Sequence, residues 1–369
     1  MPIFTLLRAR RSRSLDELPD TLGASSPRVS VVIPARNEAR NIVRCVESVL
    51  ATRYPALEVI AVDDYSTDST GDLLNRIAAS DPRLRVIRPE PLPAGWFGKQ
   101  WACTSGARVA SGEILAFLDA DTWQRDDLIP RAVNAMHDRR ADFLTVAGAQ
   151  EMESFWERMI QPQMFALFLA RYGGTEIVNA ARRADSKIAN GQCIFMTRAA
   201  YDDLGGHGAV RDKVAEDLAL AQLAFRAGKR TTLILGLDQL HTRMYTSFAE
   251  LAAGWGKNVY AGGRDAMPFG ALGQLLYPVA LISPWVTALA PPLVLALAAF
   301  GIAKGALPWA AISTIATVIW WLGVYRWLKL PLFHALLYPF GAGAILYICL
   351  GSIVRGRNVQ WKSREYVVT

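Results

Sequence analysis

Residues 113–121 read EILAFLDAD, in which five consecutive apolar residues run into Asp119 and Asp121. A short run that is apolar at every position suits a strand covered by helices on both faces, as in parallel sheets. Ligands of such sheets bind beyond the carboxyl ends of the strands, where this pair of acids falls. The same arrangement recurs upstream: LEVIAVDD at 57–64 ends in Asp63 and Asp64. Two strand ends that carry acids weigh more than either motif alone.

Working outward, segments of strand period and helix period alternate. Strands are predicted over 29–33, 57–62, 84–87, 113–118, 142–147, 192–196 and 231–235. Helices are predicted over 41–52, 72–79, 100–110, 128–137, 218–227 and 248–259. In the first of these, Ile42, Cys45, Val46, Val49 and Leu50 share one face. Alternation of this kind means βαβ units, so the fold class is α/β, a mostly parallel sheet flanked by helices. This unit is expected over 29–265, after a basic, partly disordered N-terminal tail at 1–28 that carries Arg8, Arg10, Arg11 and Arg13. Within it, 154–172 is rich in Phe155, Trp156, Met159, Ile160, Phe165 and Phe168. It reads either as an interfacial helix in a headgroup layer or as a core helix or dimer contact.

Beyond 265 the composition changes. Residues 271–354 contain three charged side chains, Lys304, Arg326 and Lys329, and no acid. A water-facing surface cannot be built that way, so a transmembrane helical region is expected, with apolar stretches at 275–302, 307–325 and 332–354. A basic tail follows at 355–369. Of the net charge of +7, residues 271–369 supply seven basic and one acidic side chain, which leaves +1 for the rest. That placement reports topology and anionic lipid, and argues against a nucleic-acid partner. Cys45, Cys103, Cys193 and Cys349 form no CxxC pair and have no histidine at zinc-like spacing, which suits a reducing cytosol.

The first residues are too short in apolar run for a secretory signal, so the acid-rich unit is expected to face the cytosol from the cytoplasmic (inner) membrane. Three crossings would then put Arg355, Arg357, Lys362 and Arg364 outside, against the positive-inside rule. The first apolar segment, interrupted by Pro284, Pro291 and Pro292, is therefore expected to be re-entrant or to form two tilted spans.

Several side chains point to chemistry. At positions i and i+2 of a strand, Asp119 and Asp121 would face one side and share a hard cation with ligand oxygens. Mg2+ or Mn2+ held that way neutralises a diphosphate leaving group. Asp64 stands where an acid accepts hydrogen bonds from a base or ribose, whereas capping of the next helix fits Asp68 better. Glu216 and Asp217 open EDLALAQLAF, a place that ordinary first-turn acids also occupy. Lys99, in GWFGKQW, is a cation beside glycines and within reach of phosphates, without the spacing of a Walker loop. No GxGxxG follows a strand and no GxSxG is present, which argues against a dinucleotide oxidoreductase and a serine hydrolase.

Taken together, VSVVIPARNEARNI (29–42), VDDYSTDST (62–70), FLDADT (117–122), GQCIFMTRAAYDDLGGHG (191–208) and AEDLALA (215–221) resemble inverting family 2 glycosyltransferases of the GT-A fold. PAGWFGKQWA (93–102), HTRMYTSFAELAAGWGKNVYAG (241–262) and RNVQWKSREY (357–366) are similar to membrane-anchored bacterial enzymes that glycosylate lipids. Among these are the hopene-associated and carotenoid glycosyltransferases and, more distantly, the ceramide glucosyltransferases. The resemblance implies that Glu38 and Asp64 hold the nucleoside, with Lys99 near the diphosphate. It implies that Asp119 and Asp121 hold the metal and diphosphate, Asp121 more directly, and that Asp217 is the general base. Glu216, His241, Arg243 and Trp255 are implied as acceptor or diphosphate contacts. For His241 the alternative is a plain hydrogen-bonded histidine, and for Trp255 a packed core residue. The chain departs from ceramide enzymes and processive synthases in 250–257, where Trp255 is kept and the arginine of (Q/R)xxRW is missing.

The implied function is transfer of a sugar from a nucleotide-diphosphate sugar, UDP-linked, to a membrane lipid hydroxyl. Its partners are the donor, the lipid acceptor and the bilayer, with no obligatory protein partner. One alternative is a polyprenyl-phosphate acceptor. Another is a transporter or sensor that uses the soluble unit to bind nucleotide sugar, which the lack of acids in 271–354 disfavours.

Overall fold

A computed structural model of the chain describes residues 12–21, 26–265, 267, 270–356, 358–361 and 364–367. It divides into two compact units. Of these residues, an α/β unit takes those within 12–151, 172–244 and 364–367, and a helical unit takes those within 152–171 and 245–361.

The α/β unit is built on strands β1 Val29–Ala35, β2 Leu57–Asp63, β3 Leu84–Ile87, β4 Ile114–Leu118, β5 Thr122–Gln124, β6 Phe143–Gln150, β7 Cys193–Thr197 and β8 Thr231–Thr242. They hydrogen-bond in the order β3-β2-β1-β4-β7-β6-β8-β5. β3, β2, β1 and β4 run parallel, as helical crossovers between successive strands require. β7 is antiparallel to β4 and to β6, β8 is parallel to β6, and β5 is antiparallel to β8. The sheet is therefore mixed. Its parallel half follows the alternation in the sequence, whereas β7 returns after a long excursion in which no short crossover fixes its direction.

Residues Val29 to Ile33 of β1 are all buried. Val29, Val31 and Ile33 enter a core with Ile42, Cys45, Val46 and Val49 of helix Ile42–Leu50 and with Leu128 and Ala132 of helix Leu128–Arg139. Val32 enters a second core with Ala102 and Cys103 of helix Gly98–Val109 and with Leu220 and Ala224 of helix Glu216–Arg226. Alternate residues feed opposite layers, which is why Val29, Val31, Val32 and Ile33 are all apolar, with Ser30 the buried polar exception. Helix Gly98–Val109 lies close to the sheet because Gly106 has no side chain: a methyl group there would collide with Val32 and Val62.

Of the expected N-terminal tail, residues 1–11 and 22–25 lie outside the described residues, and 12–21 are packed. Ser14 and Glu17 form a capping box, Leu15 is fully buried, and the Leu235 N–H donates to the Arg13 carbonyl at 3.0 Å. Of the expected C-terminal tail, residues 357, 362, 363, 368 and 369 lie outside the described residues, and the strands Asn358–Trp361 and Arg364–Val367 are formed.

In the helical unit, Gly270–Ala299, Lys304–Trp327 and Tyr338–Arg355 are long and apolar enough to cross a membrane. Leu275, Val279, Ile312, Ile319 and Val354 point outward. An apolar surface of that extent suits lipid and not water. The first segment, expected to be re-entrant or split, is instead one continuous helix. Pro284 removes the N–H that would bond the Ala280 carbonyl, and Ser283 Oγ donates to that carbonyl at 3.4 Å. Hydroxyl substitutes of this kind let proline stay inside a membrane helix. Helix Phe155–Tyr172 packs by its middle, where Met159, Ile160 and Met164 are buried and Gln163 Nε2 donates to the Tyr338 carbonyl at 3.1 Å. Tyr325 Oη donates to the Arg158 carbonyl at 2.7 Å. Phe155 and Phe168 remain exposed.

Candidate active site

Parallel pairing in register aligns the carboxyl ends of β1, β2 and β4 on one edge: Ala35 pairs with Asp63, and Val32 with Phe117. β7 starts at that edge because it is antiparallel, with Cys193 opposite Leu118. The Asp119 N–H accordingly donates to the Gln192 carbonyl at 3.1 Å. Side chains far apart in sequence are thereby collected at one place.

β4 ends at Leu118, so Asp119 and Asp121 do not lie on the strand, and the same-face argument for them is corrected. They flank Ala120 in the turn into β5. The turn is fixed by Thr122, whose N–H and Oγ donate to the Asp119 carbonyl at 3.1 and 2.7 Å. Lys99, on the first turn of helix Gly98–Val109, places its Nζ 2.7 Å from Asp119 Oδ1 and 2.8 Å from Glu216 Oε1. Burial pulls the lysine pKa down, but Asp119 and Glu216 outweigh it and hold it well above the ordinary value. One cation thus ties together the end of β4 and the starts of two helices.

Asp217, next to Glu216, is oriented by backbone. Its Oδ2 accepts from the Gly191 N–H at 2.9 Å and its Oδ1 from the Leu218 N–H at 2.8 Å. Burial, and then the charge of Glu216, push its pKa up to about 6. The carboxylate is still mostly ionised at neutral pH, with far more affinity for a proton than an exposed aspartate. Gly191 is required by this contact, since a Cβ there would stand 2.9 Å from Asp217 Oδ2 and 3.1 Å from its Cβ.

At the β2 end, Asp63 turns inward and caps the loop, accepting from the Ser66 N–H at 3.0 Å. Asp68 takes the helix-start role expected of it, accepting from the Thr70 N–H at 3.0 Å. Asp64 is buried, and Arg364 grips it in a fork: Nη1 donates to Oδ2 at 2.6 Å and Nη2 to Oδ1 at 3.1 Å. Burial raises the Asp64 pKa and Arg364 opposes it, with a net upward shift. Glu38 follows β1; its Oε2 accepts from Asn41 Nδ2 at 3.0 Å, and its N–H donates to Thr70 Oγ1 at 2.8 Å.

His241 lies on β8 opposite Trp123 of β5, one ladder position from the Asp119–Asp121 turn. Its Nδ1 is 2.9 Å from Glu151 Oε1, and its ring stacks on Trp123 at 5.8 Å. Arg44 covers Trp123 at 3.3 Å. Arg243 follows at the end of β8, half-buried. Trp255 belongs to the helical unit, where it is 6% exposed and packs on Phe165, Phe168 and Tyr245.

Two groups were not singled out from the sequence. Arg364 stands in the basic tail and in RNVQWKSREY, where the sequence attaches no role to it. Gly191 was read as part of a motif without a role. Among the described residues no group of three or more His, Cys, Asp or Glu side chains is arranged to hold a metal. Asp119 and Asp121 nevertheless offer hard oxygen donors one residue apart. A Mg2+-type ion takes one or two carboxylates when substrate phosphates complete its shell, so this donor set fits such an ion.

The Glycosyl transferase family 2 model matches residues 30–205. A 4,4'-diaponeurosporenoate glycosyltransferase of Staphylococcus aureus (strain USA300) is 26% identical over 256 residues, 67% of this chain and 65% of that protein. The chain thus spans just under two thirds of that relative's length. The enzyme of the same name from Staphylococcus haemolyticus is 24% identical over 71% of this chain and 68% of its own. Among solved structures, a mannosyltransferase from Pyrobaculum calidifontis, in complex with GDP-Man and Mn2+, superposes with a TM-score of 0.62 at 21% identity. The superposition covers 96% of this chain and 94% of that one. It shows that the two share a fold, the GT-A architecture.

Proposed function

We propose that this chain, which matches the Glycosyl transferase family 2 model over residues 30–205, is a membrane-bound inverting glycosyltransferase. It takes a sugar from a nucleotide-diphosphate sugar, UDP-linked, and gives it to the hydroxyl of a membrane lipid, with the domain at 29–265 facing the cytosol. The observation that carries this reading is the half-buried Asp217 carboxylate, locked by two backbone N–H groups beside the Lys99, Asp119 and Glu216 cluster. Relatives named for diaponeurosporenoate and three apolar helices support an acceptor that resides in the bilayer.

Asp217 accepts the proton of the acceptor hydroxyl as that oxygen forms a bond to the anomeric carbon. The bond from that carbon to the diphosphate oxygen breaks on the opposite face, so one displacement inverts the centre. Lys99, held charged by Asp119 and Glu216, stabilises the negative charge that collects on the departing diphosphate. Asp64 and Glu38 hold the nucleoside, and His241 and Arg243 border the diphosphate or acceptor. Asp121 with Asp119 would hold Mg2+ or Mn2+, which when bound neutralises the diphosphate as it leaves. Trp255 stays a packing residue of the helical unit in this reading.

The test is incubation of the detergent-purified chain with Mg2+ or Mn2+, a panel of UDP-, GDP- and dTDP-sugars and total bacterial lipid, with products identified by mass. A lipid that gains one hexose or N-acetylhexosamine, and fails to do so with EDTA, is the expected result. Donor binding with no lipid modified by any donor contradicts the acceptor class.

A further inference from the structure

We propose that Arg364 is a positioning residue of the donor site: it holds the Asp64 carboxylate in the orientation that receives the nucleoside. The inference rests on the reading of Asp64 as a nucleoside-binding acid. Arg364 lies 300 residues from Asp64 in sequence, yet both its terminal nitrogens meet both carboxylate oxygens. The Asp64 side chain is 3% exposed and that of Arg364 20%. A carboxylate so buried needs a fixed cation, and a two-pronged guanidinium fixes its plane as well as its charge.

The rest of Asp64 is pinned too. Its N–H donates to the Ala35 carbonyl at 2.8 Å, and Arg36 Nη1 donates to its carbonyl at 2.6 Å. The next residue, Tyr65, takes a left-handed backbone at φ 55°. The charged groups that bear on the carboxylate are Arg364, Arg36 and Asp63. Arg36 spends its Nη1 on the carbonyls of Asp64 and Tyr65, and Asp63 repels. Arg364 is the cation that grips the oxygens themselves. Each carboxylate oxygen has a second lone pair, so a gripped Asp64 can still accept from the N–H or O–H groups of a nucleoside. The last apolar helix ends at Arg355, nine residues before Arg364. Arg364 therefore acts in the donor site rather than beyond the far face of the bilayer. That requires an even number of membrane crossings between Asp64 and Arg364, so that not all three apolar helices span.

The experiment is calorimetric binding of UDP, GDP and dTDP to the full chain in detergent between pH 5.5 and 8.5. Wild type is compared with Arg364→Ala, Arg364→Lys and Asp64→Ala, and thermal unfolding is recorded for each. Arg364→Ala is expected to weaken the best-bound nucleotide by about ten- to a hundredfold at pH 7.5. Its affinity relative to wild type at the same pH should fall further toward pH 5.5, where an uncompensated Asp64 takes up a proton more readily. Added guanidinium ion should restore part of the loss. Arg364→Lys should also bind more weakly than wild type, because one ammonium cannot serve both oxygens; it decides the matter if the alanine variant does not fold. In transfer assays the donor KM should rise with kcat little changed. Arg364 variants that bind as tightly as wild type overturn the proposal, and tighter binding would mean that Arg364 competes with the nucleotide for Asp64. Loss in Asp64→Ala with none in Arg364→Ala leaves the Asp64 reading standing and removes Arg364 from it. Unchanged binding in Asp64→Ala removes both.

Discussion

Asp217 takes two backbone N–H groups and carries a pKa near 6, because burial and Glu216 both disfavour its charge. The sign for activity follows directly: below about pH 6 the base is protonated and cannot accept from the hydroxyl. The kcat/KM profile should therefore fall about tenfold per pH unit on the acid side of that value and stay level from pH 7 to 8. A level profile down to pH 5 would remove Asp217 from the base role. Lys99 is the cation shared by Asp119 and Glu216. Lys99→Met leaves two acids facing each other without it, and kcat should fall by about a hundred- to a thousandfold; a loss under tenfold in the folded variant would contradict its place beside the leaving group. Asp64, Asp119 and Asp121 were legible in the sequence because apolar strands run into them, whereas Asp217 stands in a helix's first turn and only the family resemblance implied its role. Arg364 was not legible, since an arginine in a tail looks the same whether it faces lipid or a carboxylate 300 residues away.

The elements that present these side chains depend on two glycines. Gly191→Ala would press a methyl against Asp217 Oδ2 and Cβ, so transfer should drop by about tenfold or more with nucleotide binding preserved. An unchanged rate would show that the carboxylate need not sit where Gly191 puts it. Gly106→Val wedges helix Gly98–Val109 away from Val32 and Val62, and thermal or denaturant unfolding should report a loss of about 1–3 kcal/mol. Period alone revealed β1 to β4 and the helices between them, because β1, β2 and β4 are buried on both faces and β3, though at the edge, still alternates from its buried Leu84. It did not reveal that β7 runs antiparallel, that β8 continues to Thr242, or that Thr122–Gln124 forms β5. Those pairings are non-local, and nothing in a strand's own residues encodes the direction of its neighbour. The apolar run shows the DxD pair at the sheet edge but not that it lies past the strand, because the turn at Ala120 depends on the Thr122 hydrogen bonds.

At the scale of the whole molecule, the absence of acids across 271–354 was enough to expect membrane helices, and three suitable helices are present. What the prolines would do was not legible. They suggested breaks, but Ser283 takes the carbonyl that Pro284 strands and the helix runs on. The chain should fractionate with membranes, resist extraction by high salt or alkaline carbonate, and dissolve in detergent; release by salt alone would contradict integral anchoring. The most direct measurement compares wild type with Asp217→Asn on one donor and lipid pair, with nucleotide binding followed in parallel. The expected result is transfer reduced by about a hundred- to ten-thousandfold, with donor affinity changed only a few fold. Transfer by the asparagine variant at the wild-type rate would contradict base catalysis by Asp217, and with it the hydroxyl acceptor.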